Sequence, residues 1–211
     1  MFAQVTKITA YDKSHELMRQ LESSEKIEKV TDGSHTALPF DNELFDIVIC
    51  RFVFHHLDDK AKALKEVNRV LREDGALLLS DPILPQHSRD VLNGIYRIRE
   101  DNFHGYCSYH ELIDLLEENG FLPIRIRPFH VRYASLHKYL EAVENGIKTG
   151  DSSTDTSAIV PVLKGKIARA LNFVDETVRR EMKVTGSGLD LSFQYDLVDI
   201  ASVKCTASKR L

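Results

Sequence analysis

The sequence predicts an α/β protein with a Rossmann-like parallel sheet and flanking helices. Short apolar runs alternate with amphipathic segments over about the first 130 residues. The run Ile47-Val48-Ile49 is apolar on both faces, as expected for a strand buried inside a parallel sheet. The intervening segments are long enough for helical crossovers, which parallel strands require.

Composition narrows the class of protein. The chain has 211 residues, 43% of them hydrophobic, and a formal net charge of −4, which suits a domain with a full core. There is no basic block and no apolar run near the roughly 20 residues that span a bilayer, so we expect no nucleic-acid or membrane partner. Three widely spaced cysteines indicate no CxxC metal site, and they favour a reducing, cytoplasmic compartment.

Apolar spacing predicts the elements in order. We expect strands at 5–11, 27–30, 45–52, 76–80, 122–127 and 191–206, and helices at 14–21, 59–74, 86–102, 109–118, 134–146 and 159–183. Ser14, Asp58 or Asp59, and Ser108 with Glu111 are helix-start signals, and Gly75 suits a helix end. Residues 1–133 are predicted to form the core, and 134–211 a helical insertion plus C-terminal strand material that completes the same domain.

Polar residues follow the first two predicted strands. Asp12 ends the strand 5–11, and a carboxylate there can accept hydrogen bonds from both ribose hydroxyls of a nucleoside. Asp32 follows the strand 27–30 and can accept from an exocyclic amine, while Gly33 permits close approach to a flat ring. The alternatives are a helix cap at Asp12 and an ordinary Asp-Gly turn.

The third predicted strand leads into the segment CRFVFHHL. Arg51 is expected to face a ligand cleft at the carboxyl edge of the sheet, and His55 and His56 begin the next segment. Either histidine could act as a base, and either could equally be a helix-start or packing residue.

These features together resemble the class I S-adenosylmethionine-dependent methyltransferases of small molecules, in particular the quinone-ring C-methyltransferases. The resemblance covers about residues 5–82 and rests on Asp32, Leu38-Pro39-Phe40, Phe45-Asp46, His55-His56-Leu57, Arg69-Val70-Leu71 and Gly75. It continues weakly through SYHELIDLLEENGF.

The resemblance implies S-adenosylmethionine as the cofactor and a small molecule as the methyl acceptor. It implies that Asp12 holds the ribose, that Lys13 lies near the adenine, and that Asp32 contacts the adenine amino group beside Gly33 and Ser34. By the same resemblance, Arg51 lies near the methionine portion, and His55 and His56 lie towards the acceptor.

One part of the family pattern is missing. The resemblance calls for a first strand and a GxGxG turn before the acid-ended strand, yet the chain contains no GxGxG. We therefore expect either an N-terminally incomplete chain or a degenerate relative, with a sheet that lacks that strand, weak cofactor binding, and exposed edges that could support self-association. The alternative function is a non-catalytic relative that binds or regulates a partner. A dehydrogenase is a weaker alternative, because it too needs the glycine motif.

Overall fold

The computed structural model describes residues 7–22, 24–99, 103–150 and 159–205. Leaving out two short 3-10 turns, Phe54–His56 and Gly188–Asp190, the elements in these ranges are β1 (Ile8–Tyr11), α1 (His15–Gln20), β2 (Ile27–Val30), β3 (Phe45–Arg51), α2 (Lys60–Val70), β4 (Leu71–Ile83), α3 (Gln86–Arg99), α4 (Tyr109–Glu118), β5 (Phe121–Tyr133), α5 (Leu136–Gly150), α6 (Ile159–Asn172), α7 (Glu176–Glu181) and β6 (Phe193–Lys204). The α/β prediction is confirmed.

The strands of the described residues form two sheets. β1 and β2 pair in parallel, with Tyr11 opposite Val30. The larger sheet has the order β3-β4-β6-β5, and β3 and β4 are parallel. β6 is antiparallel to both neighbours, so this sheet is mixed rather than parallel. The reason is that the chain leaves the sheet at the carboxyl end of β5, forms α5–α7 and re-enters at the same end, where Phe193 pairs with Tyr133. β6 must therefore run in the direction opposite to β5.

One face of the larger sheet is covered by α2 and α4. Leu64 of α2 and Leu116 of α4 pack with Leu77 and Leu79 of β4 and with Ile200 of β6 in one buried cluster. Each large aliphatic side chain buried in this way contributes about 1.5–3 kcal/mol. This cluster holds the carboxyl ends of β3 and β4 in register.

The opposite face of β3 is open. Ile47 is 55% exposed and Ile49 is 68% exposed, and Leu78, which pairs with Ile49, is also exposed. The prediction that β3 is buried on both faces is therefore wrong. Within the described residues β3 pairs along one edge only, with β4, so that its other edge carries unsatisfied backbone groups.

A second cluster lies beyond the carboxyl edge of the larger sheet. It joins α3, α5, α6 and α7 to Phe193, and it includes Tyr139, Ile167 and Leu171. The helix predicted at 159–183 is divided, because Asp175 accepts a hydrogen bond from the Val178 amide at 2.9 Å and begins α7. No helix of the described residues is long and apolar enough to cross a membrane.

Capping side chains begin two helices as predicted. The Asp59 carboxylate accepts from the Lys62 amide at 2.9 Å and begins α2. Ser108 and Glu111 form a capping box at the start of α4. The prediction that Gly75 lies at the end of this helix is wrong, because α2 ends at Val70 and Gly75 lies within β4.

We expect Ser108→Ala to lower the free energy of unfolding by about 1 kcal/mol, because the substitution leaves an N-terminal amide of α4 without its acceptor. Urea unfolding at neutral pH measures the change. Glu117→Ala, at an exposed position of the same helix, serves as the control and should change stability by less than about 0.5 kcal/mol. Equal losses in the two variants would contradict this role of Ser108.

Candidate active site

Asp12 stands where β1 passes into α1. Its Oδ1 accepts a hydrogen bond from the Ser14 amide at 2.8 Å, and Ser14 Oγ in turn caps α1 by accepting from the Leu17 amide at 3.2 Å. The side chain is half-buried, and the neighbouring Lys13 is exposed. This turn uses one carboxylate oxygen, and a carboxylate has two, so the turn is compatible with diol binding.

The Asp32 segment follows β2, beside Asp12. Parallel pairing brings the two together, and the Asp12 amide donates to the Val30 carbonyl at 3.3 Å. Asp32 is exposed, and Ser34 exchanges two backbone hydrogen bonds with Ala37. Gly33 has φ of +100°, and a Cβ there would lie 2.7 Å from Pro39 Cδ, so glycine is needed for the loop itself.

Two residues of α2 hold this loop. Arg69 Nη1 donates to the Phe40 carbonyl at 2.7 Å, and Arg69 Nη2 donates to the Leu38 carbonyl at 3.0 Å. Glu66 Oε2 accepts from the Leu38 amide and from Arg69 Nη2, both at 2.8 Å. The hydrogen bond from Arg69, helped by that from Leu38, holds the pKa of Glu66 below its usual range despite partial burial. We call Glu66 and Arg69 with these loop contacts the α2 clamp.

The loop has two further attachments. His35 Nε2 lies 2.6 Å from Asp58 Oδ1, just before α2. Tyr11 of β1 contacts Phe40 edge-on with ring centroids 6.0 Å apart, and Phe40 contacts Phe45 of β3 at 5.1 Å. These rings connect the two sheets through side chains.

Arg51 and Phe52 lie at the carboxyl end of β3. Arg51 is exposed, and its guanidinium carbon lies 5.0 Å from the centroid of the Phe52 ring. Phe52 has φ of 53°, and its amide donates to the Ser80 carbonyl at 2.9 Å. A left-handed conformation is costly for a bulky residue, and such strain is common at functional sites.

His55 and His56 occupy the 3-10 turn that follows. His55 Nδ1 lies 3.0 and 3.1 Å from the two carboxylate oxygens of Asp81, and the His55 and Asp81 side chains are only 8% and 4% exposed. The His56 ring lies 4.2 Å from the His55 ring, centroid to centroid. Phe103 and Tyr106 also contact the His55 ring, with centroids at 5.8 and 5.0 Å.

The predicted residues therefore form two groups. Asp12, Asp32, Gly33 and Ser34 meet beyond β1 and β2, while Arg51, His55 and His56 lie at the carboxyl end of β3. Sequence reasoning missed Asp81 and the α2 clamp. The Glu66/Arg69 spacing of three residues would have predicted their ion pair but not the loop they hold. Asp81, which ends the apolar run 76–80, could have been placed near His55 by the parallel register of β3 and β4.

Comparison with known proteins gives a consistent result. Residues 1–79 match the family described as methyltransferase domain. The chain is 40% identical over 70 residues to the uncharacterized methyltransferase YcgJ of Bacillus subtilis (strain 168), covering 32% of this chain and 28% of that protein. It is 32% identical over 125 residues to the uncharacterized protein YafE of Escherichia coli (strain K12), covering 56% of this chain and 60% of that protein.

Solved structures show the same fold. The crystal structure of YcgJ matches with a TM-score of 0.74 at 22% identity, covering 96% of this chain and 84% of that one. A proposed methyltransferase from Bacillus halodurans C-125 matches with a TM-score of 0.77 at 21% identity, covering 95% and 84%. The chain spans less than two thirds of the length of the curated relatives YcgJ and YafE.

Residues 1–79 are thus similar to the methyltransferase domain family, and the described residues have the fold of the two solved structures. This similarity agrees with the resemblance that the sequence carries over residues 5–82.

We expect Glu66→Gln to loosen the loop 31–44 and to lower the free energy of unfolding by about 1–3 kcal/mol, because an NH2 donor replaces the oxygen that accepts from Arg69 Nε and the negative charge beside Arg69 is lost. The native pKa of Glu66 lies below that of the unfolded chain. Its stabilisation is therefore fully present above the ordinary pKa of the carboxyl and is lost as the pH falls through the native value.

Urea unfolding from neutral pH down to about pH 3 measures this effect, since glutamate titrates near 4.3 in model peptides and the native value of Glu66 lies lower. The difference between wild type and Glu66→Gln should shrink with acidification. Glu28→Gln, at an exposed position of β2, is the control. A difference that is independent of pH would show that the charge of Glu66 does not hold the loop.

Proposed function

We propose that this chain supports S-adenosylmethionine-dependent methyl transfer to a small molecule. The observation that carries the proposal is the position of Asp12, Asp32 and Arg51, which follow or end β1, β2 and β3 at the carboxyl ends of these strands. In this proposal residues 1–133 bind the cofactor, and residues 134–211 complete the same domain on the acceptor side.

The chemistry of the side chains fits the adenosine half of the cofactor. Asp12, half-buried, would accept from the ribose hydroxyls, with Lys13 near the adenine, and Asp32 would accept from the adenine amino group beside Gly33 and Ser34. Arg51 would pair with the carboxylate of the methionine half. The cofactor supplies an activated methyl group, so the protein mainly positions the reactants.

On the acceptor side we propose His55 or His56 as the base for an acidic acceptor. Aromatic rings surround this position. Tyr96 stacks on Phe103 with centroids 5.4 Å apart, and Phe103 contacts Tyr106 at 5.1 Å. Such a lining favours a small, partly apolar acceptor. A curated relative of similar sequence, demethylmenaquinone methyltransferase of Staphylococcus aureus (strain JH9), is 25% identical over 154 residues and covers 64% of each protein.

The methionine half of the site calls for one more element. We propose that a further parallel strand with a glycine-rich turn pairs with β3 in the complete site. Support comes from the open edge of β3, the exposed Ile47 and Ile49, and the absence of GxGxG from the chain.

A second candidate function is a non-catalytic relative that binds another chain. The same open edge and apolar face of β3 favour it, since an unpaired strand is a template for pairing with another strand. In this case we propose that the partner is a second copy of the chain. We also propose a cytoplasmic location, which the free thiols of Cys50, Cys107 and Cys205 favour.

We expect the 211-residue chain to bind S-adenosylmethionine more weakly than about 1 µM, which corresponds to about −8.2 kcal/mol. The physical reason is that the sequence has no GxGxG turn to approach the methionine half. Isothermal titration calorimetry measures the affinity. Residual binding should fall with Asp12→Asn and persist with the control Asp90→Asn, an exposed position on α3. Binding tighter than about 1 µM would contradict the proposed need for a further strand, and binding that does not depend on Asp12 would contradict the role proposed for Asp12.

We expect Ile49→Lys to weaken any self-association of the chain, because a charge on the open face opposes burial against a second copy. Sedimentation velocity over a range of protein concentrations measures the monomer fraction. Val162→Lys, at an exposed apolar position on α6, is the matched control and should behave like wild type. A wild-type chain that stays monomeric at every concentration would exclude the second copy as the partner.

A further inference from the structure

We propose that Asp81 is a positioning residue for His55. It holds the imidazole with its proton on Nδ1, so that Nε2 remains the basic nitrogen. This inference rests on the proposed function only for the use made of Nε2. The placement of the proton follows from the described contacts alone.

The first argument is the chemistry of the hydrogen bond. Both carboxylate oxygens of Asp81 lie within 3.1 Å of His55 Nδ1. An ionised carboxylate can only accept hydrogen bonds, so the donor must be Nδ1–H. In the neutral ring the other nitrogen, Nε2, then has a free lone pair, and a base needs such a lone pair.

The second argument is burial. The two side chains are 8% and 4% exposed, so water competes little for this hydrogen bond. A buried carboxylate without a donor would be costly, and the contact with His55 offsets that cost. Lys60 is also close enough to feel the charge of Asp81, and burial lowers the pKa of Lys60.

The third argument is that the backbone of His55 is fixed independently of its ring. The His55 carbonyl accepts from the His104 amide at 3.0 Å and from the Gly105 amide at 3.1 Å. These bonds join the 3-10 turn to the segment that carries Phe103 and Tyr106. With the backbone held in this way, Asp81 determines the orientation of the ring and the tautomer.

The pair has a chemical consequence at the proposed acceptor side. A proton taken from an acceptor would bind Nε2. The other proton would remain on Nδ1, hydrogen-bonded to Asp81, and the carboxylate would balance the positive charge of the imidazolium. The other titratable groups around the pair are His56 and Tyr106, whose rings contact His55, and Cys50. Burial and the charge of Asp81 raise the pKa of Cys50 to about 12. Tyr106 is also held neutral, since burial raises its pKa.

The chain contains a matched comparison for this pair. His130 Nδ1 lies 2.6 Å from Asp196 Oδ1, but these side chains are 56% and 42% exposed. The same atoms therefore meet in solvent, where water can replace the carboxylate. We expect a fixed tautomer at His55 and not at His130.

Long-range ¹H–¹⁵N correlation spectra of the ¹⁵N-histidine-labelled chain, recorded without cofactor at a pH where both rings are neutral, test the proposal. We expect His55 as the Nδ1–H tautomer in wild type, loss of that tautomer in Asp81→Ala, and an unchanged His55 signal in Asp196→Ala. A role that is only structural would lower the melting temperature of Asp81→Ala without moving the proton between ring nitrogens.

An Nε2–H tautomer at His55 in the wild-type spectrum would overturn the proposal, and this result needs no variant to fold. If Asp81→Ala fails to fold, Asp81→Leu replaces it, because leucine likewise has no acceptor for Nδ1–H. A His55 tautomer that remains fully Nδ1–H in either folded variant would also overturn the proposal. Because the spectra are recorded without S-adenosylmethionine, their outcome is separate from that of the calorimetric titration.

Discussion

The attachment of the loop 31–44 to α2 is the constraint on which the candidate site depends. β1 and β2 pair only with each other among the described strands, so backbone hydrogen bonds do not join them to the larger sheet. The α2 clamp makes that connection, with charged groups bonding to the backbone at Leu38 and Phe40. Hydrogen bonds to charged groups contribute about 1.5–3 kcal/mol each, roughly twice the neutral value.

The two groups of candidate residues are held in different ways. Asp32 lies on the loop that the clamp holds, and Asp12 lies beside it at the end of β1. In the other group, His55 is enclosed by Asp81, Phe103 and Tyr106, and its carbonyl joins it to the segment 103–107. In the proposed function the first group binds adenosine and the second faces the acceptor, so it is the proposed adenosine site whose geometry depends on the clamp.

Sequence reasoning was most successful where the physical signal is local. The caps at Ser14, Asp59 and Ser108 and the strand 27–30 were predicted correctly, since each depends on side chains within four residues. The clamp, the Asp81 contact and the direction of β6 involve residues distant in sequence, which periodicity does not report. Ile47 and Ile49 carry the pattern of a buried strand, yet they are exposed, because burial depends on what lies against the face.

Hydrogen–deuterium exchange of the backbone amides tests the central claim, that side chains of α2 that hold the loop, rather than strand pairing, attach β1 and β2 to the rest of the protein. The account predicts that amides of β1 and β2 exchange at a lower opening free energy than those of β4 and β6, and that Glu66→Gln lowers the protection of β1 and β2 selectively. Equal protection in both sheets, with a uniform effect of Glu66→Gln on all strands, would contradict it.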